Sequence, residues 1–411
     1  MSNITIKPFK ALRPQPQLAK QVASKPYDVL SSTEAKIEAR GNPASFLHIT
    51  KSEIDLPEGI DTHSPEVYEQ AKQNLAAFIK RDLLFRDDRE CYYIYRLIMD
   101  GRSQTGLVCV SSVDDYEKGL IKKHELTRPD KEKDRIDHIQ TTGAQTGNVF
   151  LAYRNVDAID ELVEAWTKRG PVYDFVADDG IQHTVWIISD SDIVKKISAV
   201  FYEQVPCTYI ADGHHRAASA AKVRKALGDD APEGASYFLT TLFPAGQLSI
   251  MDYNRVVKTL NGLTPAAFLE ALAENFTLEE VKTAHKPQNL HDFGLYMAKK
   301  WYKLAAKPGT YTEDPIGILD VTILQNNVLS KLLNIQDQRT DKNIDFIGGI
   351  RGMAELKKRV DSGEWAAAFS IYPVSIEQLF SIADSGEIMP PKSTWFEPKL
   401  RDGLLTNLIY E

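Results

Sequence analysis

The chain has 411 residues, 43% of them hydrophobic and 26% charged, which is ordinary globular usage and excludes a disordered, aromatic-poor polymer. Its 57 acidic against 49 basic residues give a net charge of −8, which opposes a broad attraction to nucleic acid or to an anionic membrane. Cys91, Cys109 and Cys207 show no C-x-x-C spacing, so neither a disulfide framework nor a thiolate zinc site is indicated.

At roughly 100–200 residues per domain, two or three lobes are expected. The opening MSNITIKPFKALRPQPQ lacks the apolar run of a leader peptide, and no later window reaches the ~20 apolar residues that span a bilayer. The expectation is a soluble, cytoplasmic protein with no membrane partner.

Alternation in Ile4, Ile6, Phe9 and Leu12 predicts a first strand that stops at Arg13-Pro14, because proline cannot donate to a ladder. Ser31 and Glu34 form a capping box that opens a helix over 32–40, which leaves Asp28 in the turn just before it. A helix over 65–80 follows. Two strands, 90–99 and 105–111, are joined by the turn Asp100-Gly101, a hairpin signature. The block 116–138, YEKGLIKKHELTRPDKEKDRIDH, is dense in alternating charge and is interrupted by Pro129, so it cannot be one helix; it reads as a solvated arm or as a pocket lining. Strands are expected at 149–153 and 184–188, and helices at 157–168 and 190–203. His183 and Trp186 fall on a strand and read as structural. A short apolar strand, 208–211, then runs through Asp212-Gly213 into an alanine-rich helix, 215–227. After a buried strand at 237–243 and a helix at 265–275 the pattern stays mixed to the C-terminus. A boundary is expected near 284–289.

The strand–turn–helix unit carries the chemistry. In Asp212-Gly213-His214-His215-Arg216 the glycine permits a sharp turn, the helix start offers free N–H groups to an anion, and the arginine presents a planar fork to phosphate oxygens. Asp212 at the mouth of that loop can orient a magnesium ion or accept a hydroxyl proton. Successive helix positions point about 100° apart, so His214 and His215 have separate roles and no transition-metal site is expected. His124, Arg128 and Arg135 are candidates for an anion clamp. Near the C-terminus, Met389-Pro390-Pro391-Lys392-Ser393-Thr394-Trp395-Phe396 joins a rigid turn to a lysine and two hydroxyls, a loop able to close on a nucleotide. Core packing is the more frequent fate of aromatics such as Trp395 and Phe396. Arg255, on residue type alone, reads as an exposed arginine.

The loop D-G-H-H-R, together with KPFKALRP…KPYDVL, KKHELTRPDKEKDR and MPPKSTWFEPKL, resembles a bacterial and archaeal family known as a domain of unknown function. Its loop in turn resembles the phosphate loop of the ParB/sulfiredoxin superfamily, which includes SerK-like free-serine kinases. That resemblance implies a mixed α/β (α+β) fold with a ParB/sulfiredoxin-like core and large insertions over residues 1–285, and a C-terminal α/β lobe over 286–411 that lends a loop to the site. It implies a catalytic Asp212 and phosphate contacts from His214 or His215 and Arg216; Gly213, His124, Arg128, Arg255, Lys392, Ser393 and Thr394 complete the candidate nucleotide- and phosphate-binding set. Those kinases also use a glutamate soon after the first strand. Here Arg13-Pro14-Gln15-Pro16-Gln17 holds no carboxylate, and Asp28 is the substitute, with His215 as a further catalytic candidate.

The expected function is therefore a magnesium-dependent kinase that moves a phosphoryl group from ATP or ADP to the hydroxyl of free L-serine or a similar small molecule. Two alternatives compete. A ParB-like nucleotide-binding regulator without catalysis would be supported by a basic helix-turn-helix, and none is found. A sulfiredoxin-like repair enzyme needs a cysteine in the loop, and His214 stands there. The oligomeric state is left open.

Overall fold

A computed structural model of the chain describes residues 3–410. It is a mixed α/β protein that divides into two compact units. The first comprises the chain up to Lys123, Thr127–Leu248 and everything from Pro398 onward; the second comprises His124–Leu126 and Ser249–Glu397. The second unit's main segment begins at Ser249, ahead of the boundary expected near 284–289, and the last residues of the chain return to the first. Among the described residues no helix is long and apolar enough to cross a membrane.

The first unit is built on a nine-stranded mixed sheet. Two of its long strands, Tyr92–Met99 and Arg102–Ser112, pair antiparallel as the expected hairpin. Asp100 and Gly101 at the tip both have positive φ, 51° and 76°, the backbone a two-residue hairpin turn requires. Tyr237–Pro244 pairs antiparallel with Arg102–Ser112 on one side and parallel with Val149–Tyr153 on the other, and Thr208–Asp212 follows at the far side of Val149–Tyr153. Val149–Tyr153 is buried at every position, the continuous apolar run of a central strand. Helices Asp157–Thr167 and Ser191–Gln204 cover a core that includes Ile159, Trp166, Ile197, Val200 and Phe201. His183 is fully buried and its Nδ1 lies 2.8 Å from the Tyr95 hydroxyl, while the Trp186 indole donates to the Arg169 carbonyl at 2.9 Å. Both are structural, as expected.

Two local expectations are corrected. The first strand does not run unbroken: Ile6–Lys7 pairs with Arg102–Ser112, Pro8 interrupts, and Leu12–Pro14 forms a separate two-stranded ribbon with Leu84–Arg86. Pro14 is tolerated inside that strand because a two-stranded ribbon has only edges, where a missing donor faces no partner. The charged block resolves into a short helix Val113–Glu117, a two-residue strand and the helix Pro129–Thr142. Pro129 is its first residue, where its missing N–H would have had no intrahelical partner in any case. This helix is not simply solvated, for Glu132, Asp134, Arg135 and His138 are buried.

The C-terminal tail is stitched into the first unit at three places. Ser24 and Asp402 exchange backbone hydrogen bonds at 3.1 and 2.9 Å, Leu12 and Thr406 do the same at 2.9 Å, and Asn407–Leu408 pairs with Ala144–Gln145.

The second unit is a six-stranded antiparallel sheet in the order Phe276–Val281, Lys300–Ala306, Asp292–Met297, Ala367–Ile371, Tyr253–Val257, Ile344–Gly348. Leu356 of helix Gly352–Asp361 packs with Val256, Tyr296, Ile347 and Trp365 to form its core.

Candidate functional site

The strand Thr208–Asp212 and the helix His214–Leu227 meet at Gly213, whose φ is +96°. Only glycine adopts that backbone without strain. The strand's register with Val149–Tyr153 shifts between Ile210 and Asp212, a bulge-type irregularity of the kind that re-aims a side chain at the end of a strand. No side chain caps the helix, and the helix dipole favours negative charge at its start. Ala217, Ala218, Ala220 and Ala221 are buried. Their small size lets this helix lie close against Pro129–Thr142, where the Ser219 hydroxyl donates to the Glu132 carbonyl at 3.0 Å and Lys222 pairs with the Glu132 carboxylate.

Arg216 organises the loop. It is 9% exposed, its Nη1 donates to the Asn148 carbonyl, and its Nη2 lies 3.4 Å from Asp212 Oδ2 and 3.8 Å from Asp28 Oδ2. Burial would weaken its charge, but Asp28, Asp212 and Asp402 around it more than compensate and hold its proton above the usual arginine range. Two glycines leave room for this side chain. A Cβ on Gly213 would stand 3.0 Å from Arg216 Nε, and one on Gly147 would stand 3.3 Å from both Arg216 Cδ and Asp402 Oδ1.

Asp212 is gripped from two sides. Lys399 Nζ reaches the same Oδ2 at 3.3 Å. Burial would raise the carboxyl's proton affinity, yet Lys399, Arg216 and His214 together hold it well below the usual carboxylate range. Asp402 is the opposite case. It is 1% exposed, its Oδ2 has no hydrogen-bond partner, and burial with Asp28 nearby pushes it up to about 8 against the pull of Arg216 and Arg135. At neutral pH this cluster therefore holds a charged Asp212 and a protonated Asp402. Two carboxyls of one site held on opposite sides of neutrality are a common mark of acid–base machinery.

The remaining candidates of the first unit sit as follows. Asp28 is exposed, in a single 3₁₀ turn Tyr27–Val29 ahead of the capped helix Ser32–Glu38. His214 is buried and His215 half-buried, and the Arg128 backbone N–H donates to His215 Nε2 at 3.0 Å. The Arg128 side chain is turned to Asp130 at 2.9 Å on the surface, and Arg135 is buried against Asp134 at 2.7 Å with its guanidinium 3.9 Å over the Tyr27 ring. Arg128 and Arg135 thus each have a separate carboxylate partner.

Within the second unit, His124 is buried with Nε2 3.4 Å from the Thr394 hydroxyl, and Ser393 donates to the Pro390 carbonyl at 2.6 Å. Lys392 is exposed, with its ammonium 5.9 Å from the Tyr253 ring centre. Trp395 packs on the strand at Gly348, where a Cβ would meet its ring at 2.8 Å. Arg255 is not an exposed arginine at all: it is 0% exposed, on the strand Tyr253–Val257.

Sequence reasoning did not single out Lys399 or Asp402. Lys399 lies inside the motif MPPKSTWFEPKL and Asp402 three residues on, so the motif itself was the available signal. What was hidden is the return of that tail to the loop, 187 positions away in the chain at the Lys399–Asp212 contact.

The sequence matches no curated protein. Several solved structures share limited similarity with the chain. A conserved hypothetical protein from Pyrococcus furiosus is 16% identical with a TM-score of 0.37, covering 74% of this chain and 95% of its own. A free serine kinase in complex with AMP is 15% identical with a TM-score of 0.35, covering 73% and 91%. SbnI with a C-terminal truncation from Staphylococcus aureus is 13% identical with a TM-score of 0.39, covering 73% and 87%. The family model described as "Protein of unknown function (DUF1015)" matches residues 6–322, well over half of the sequence, and the chain belongs to that family.

Proposed function

We propose that this protein is a nucleotide-dependent small-molecule kinase, transferring a phosphoryl group from ATP or ADP to the hydroxyl of free L-serine or a similar compound. The observation that carries the reading is the convergence of Arg216 and Lys399 on Asp212 at an uncapped helix N-terminus. Phosphoryl transfer asks a protein mainly for positioning and for neutralisation of charge, and this loop supplies both.

In this reading the nucleotide's phosphates lie against the first-turn N–H groups of His214–Leu227, with Arg216 and Lys399 as the positive side chains and the His214 ring beside them. Their arrival draws Lys399 and Arg216 from the carboxylate of Asp212 toward phosphate oxygens. Asp212, relieved of that pairing, regains basicity and accepts the acceptor's hydroxyl proton. The acceptor oxygen then forms a bond to phosphorus while the bond to the leaving phosphate breaks, and the leaving group's added charge falls on Arg216 and Lys399. Asp28, 3.8 Å from the same guanidinium, is the second carboxylate of the site. The oxygen donors of Asp212 and Asp28 fit magnesium, which is held through one or two carboxylates plus substrate phosphates and would neutralise phosphate charge when bound. His215 contributes through position: with Nε2 engaged by the Arg128 amide, it ties the loop to the start of helix Pro129–Thr142.

The test is incubation of the protein with ATP or ADP, magnesium and a panel of hydroxyl amino acids, followed by detection of a phosphorylated product. A nucleotide that stabilises the protein with no product formed from any acceptor would favour instead a nucleotide-binding regulator.

A further inference from the structure

Arg255 presents a physical problem that the kinase reading does not use. It lies on the interior strand Tyr253–Val257 with no exposure, and among the described residues no carboxylate stands within ion-pair distance of it. Its Nε donates to Gln338 Oε1 at 3.3 Å, its Nη1 to the Tyr253 carbonyl and its Nη2 to the Pro391 carbonyl at 3.0 Å, with the guanidinium 5.0 Å over the Phe346 ring. These partners are all neutral. A buried charge without a counter-charge is among the costliest features a fold can carry, and burial lowers this arginine to about 9, which still leaves it cationic at neutral pH.

Two of its partners, Gln338 and Pro391, are wall residues of a cavity of about 380 Å³ in the second unit. That volume lies within the range of small-molecule sites. The same wall carries the amides of Gln325 and Gln336, and Gln338 Nε2 donates to Gln325 Oε1, so the side chains facing the cavity are tied to the guanidinium by a continuous hydrogen-bond chain. The charged side chains on the wall do not cancel Arg255. Asp337 is spent on Arg339 at 2.8 Å, and Glu125 is the remaining acidic one.

We propose that the second unit contains its own binding pocket for a small oxyanion, a carboxylate or a phosphate ester, held by the second amide N–H of Gln338, whose first donates to Gln325, and attracted by the buried Arg255 guanidinium behind it. The amides of Gln325 and Gln336 shape the wall, each donating to internal acceptors. Arg255 acts here as a positioning residue: it orients Gln338 and supplies the field, and the anion supplies the counter-charge the fold omits. The inference does not depend on the kinase reading.

The test is calorimetric titration of the full chain with inorganic phosphate and, separately, with malonate, each against a background of excess chloride. Saturable binding of at least one of them is expected. Gln336→Trp, an exposed wall position, should fill the cavity mouth and weaken that binding event tenfold or more with the melting temperature unchanged. Leu126→Trp, 56% exposed on the same wall, should do likewise. Arg255→Met should abolish it, but that change strips three hydrogen bonds from the core, so the two surface variants decide the matter. Binding of phosphate alone assigns a phosphate ester, and of malonate alone a carboxylate. No binding of either, or binding that both tryptophan variants leave intact, overturns the proposal.

Discussion

Arg216 of the first unit and Arg255 of the second are both buried, and they are treated in opposite ways. Arg216 is ringed by Asp28, Asp212 and Asp402, and its charge is reinforced. Arg255 has amide and carbonyl partners only, and its charge is weakened by burial. A guanidinium surrounded by carboxylates is electrically satisfied without a ligand, so a phosphate must compete for it, and that competition changes the protonation of every group nearby. A guanidinium without carboxylates has nothing to release. The first arrangement suits chemistry that moves protons; the second suits capture of an anion.

Asp212→Asn tests the reactive half of this contrast most severely. Asparagine keeps the size and turn preference of the residue but can neither accept a proton nor neutralise a cation, so product formation should fall by about 10²–10⁴-fold. The loss should appear in kcat more than in nucleotide affinity. Circular dichroism and a melting curve must be unchanged for the result to bear on chemistry, and normal turnover would reduce Asp212 to a turn former.

Asp402 and Asp212, both in the first unit, respond to pH in opposite directions. The Asp402 proton is held more tightly in the folded chain than in the unfolded one, since its value rises from 3.8 to about 8. Its contribution to stability is therefore fully present below the unfolded value and is lost as pH rises through the folded one. One such proton gives a slope of up to about 1.4 kcal/mol per pH unit between those limits. Asp402→Asn, which mimics the protonated form, should remove that decline from denaturant titrations between pH 4 and pH 8. Asp212 has the reverse sign: held low, it supports stability above its unfolded value and loses that support as pH falls. The readout is the difference between the two profiles, because the buried His138 and His183, held low, carry the opposite sign over part of the same range. An Asp402→Asn profile parallel to the wild type's from pH 4 to 8 would refute the protonated Asp402.

Arg216→Ala addresses ligand binding. A nucleotide at about 100-fold its Kd stabilises a protein that binds it only when folded by about 2.7 kcal/mol. The variant should lose most of that gain in a thermal-shift series with ATP or ADP, whereas Arg255→Met should retain it if the nucleotide site belongs to the first unit alone.

The part of this picture that was legible from the sequence is the part that is local. Asp212 through Arg216 are five consecutive residues, and the strand, the glycine and the alanine-rich helix each announce themselves by short-range rules, as does the Asp100-Gly101 hairpin. Arg255 was misread because its strand, Tyr-Asn-Arg-Val-Val, sits in mid-sheet with neighbours on both sides, and pairing of that kind is decided by residues more than eighty positions away. Lys399 and Asp402 were missed for the same reason. Nothing in the sequence of this tail shows that it pairs with Ser24, Leu12 and Gln145.

The smallest effect offers the sharpest local comparison. Gly213 in the first unit and Gly352 in the second both have positive φ, 96° and 70°, at the start of a helix. Alanine at Gly213, with ψ of 29°, meets the steric penalty of left-handed backbone, about 1–2 kcal/mol; at Gly352, with ψ of 174°, it meets that of a region almost confined to glycine, about 1–3 kcal/mol. At Gly352 nothing lies within 4 Å of the added methyl, whereas at Gly213 it would press on Arg216 Nε at 3.0 Å and on Cζ at 3.1 Å. The two variants should therefore lose similar stability in denaturant titrations, apart from what Arg216 gives up in moving aside. Only Gly213→Ala should also weaken nucleotide binding, because it displaces the guanidinium and narrows the approach to the helix N-terminus. If both variants bind nucleotide like the wild type, the backbone at Gly213 is a turn and nothing more. If both lose binding equally, the effect is one of global stability, and the loop has no special claim on the phosphate.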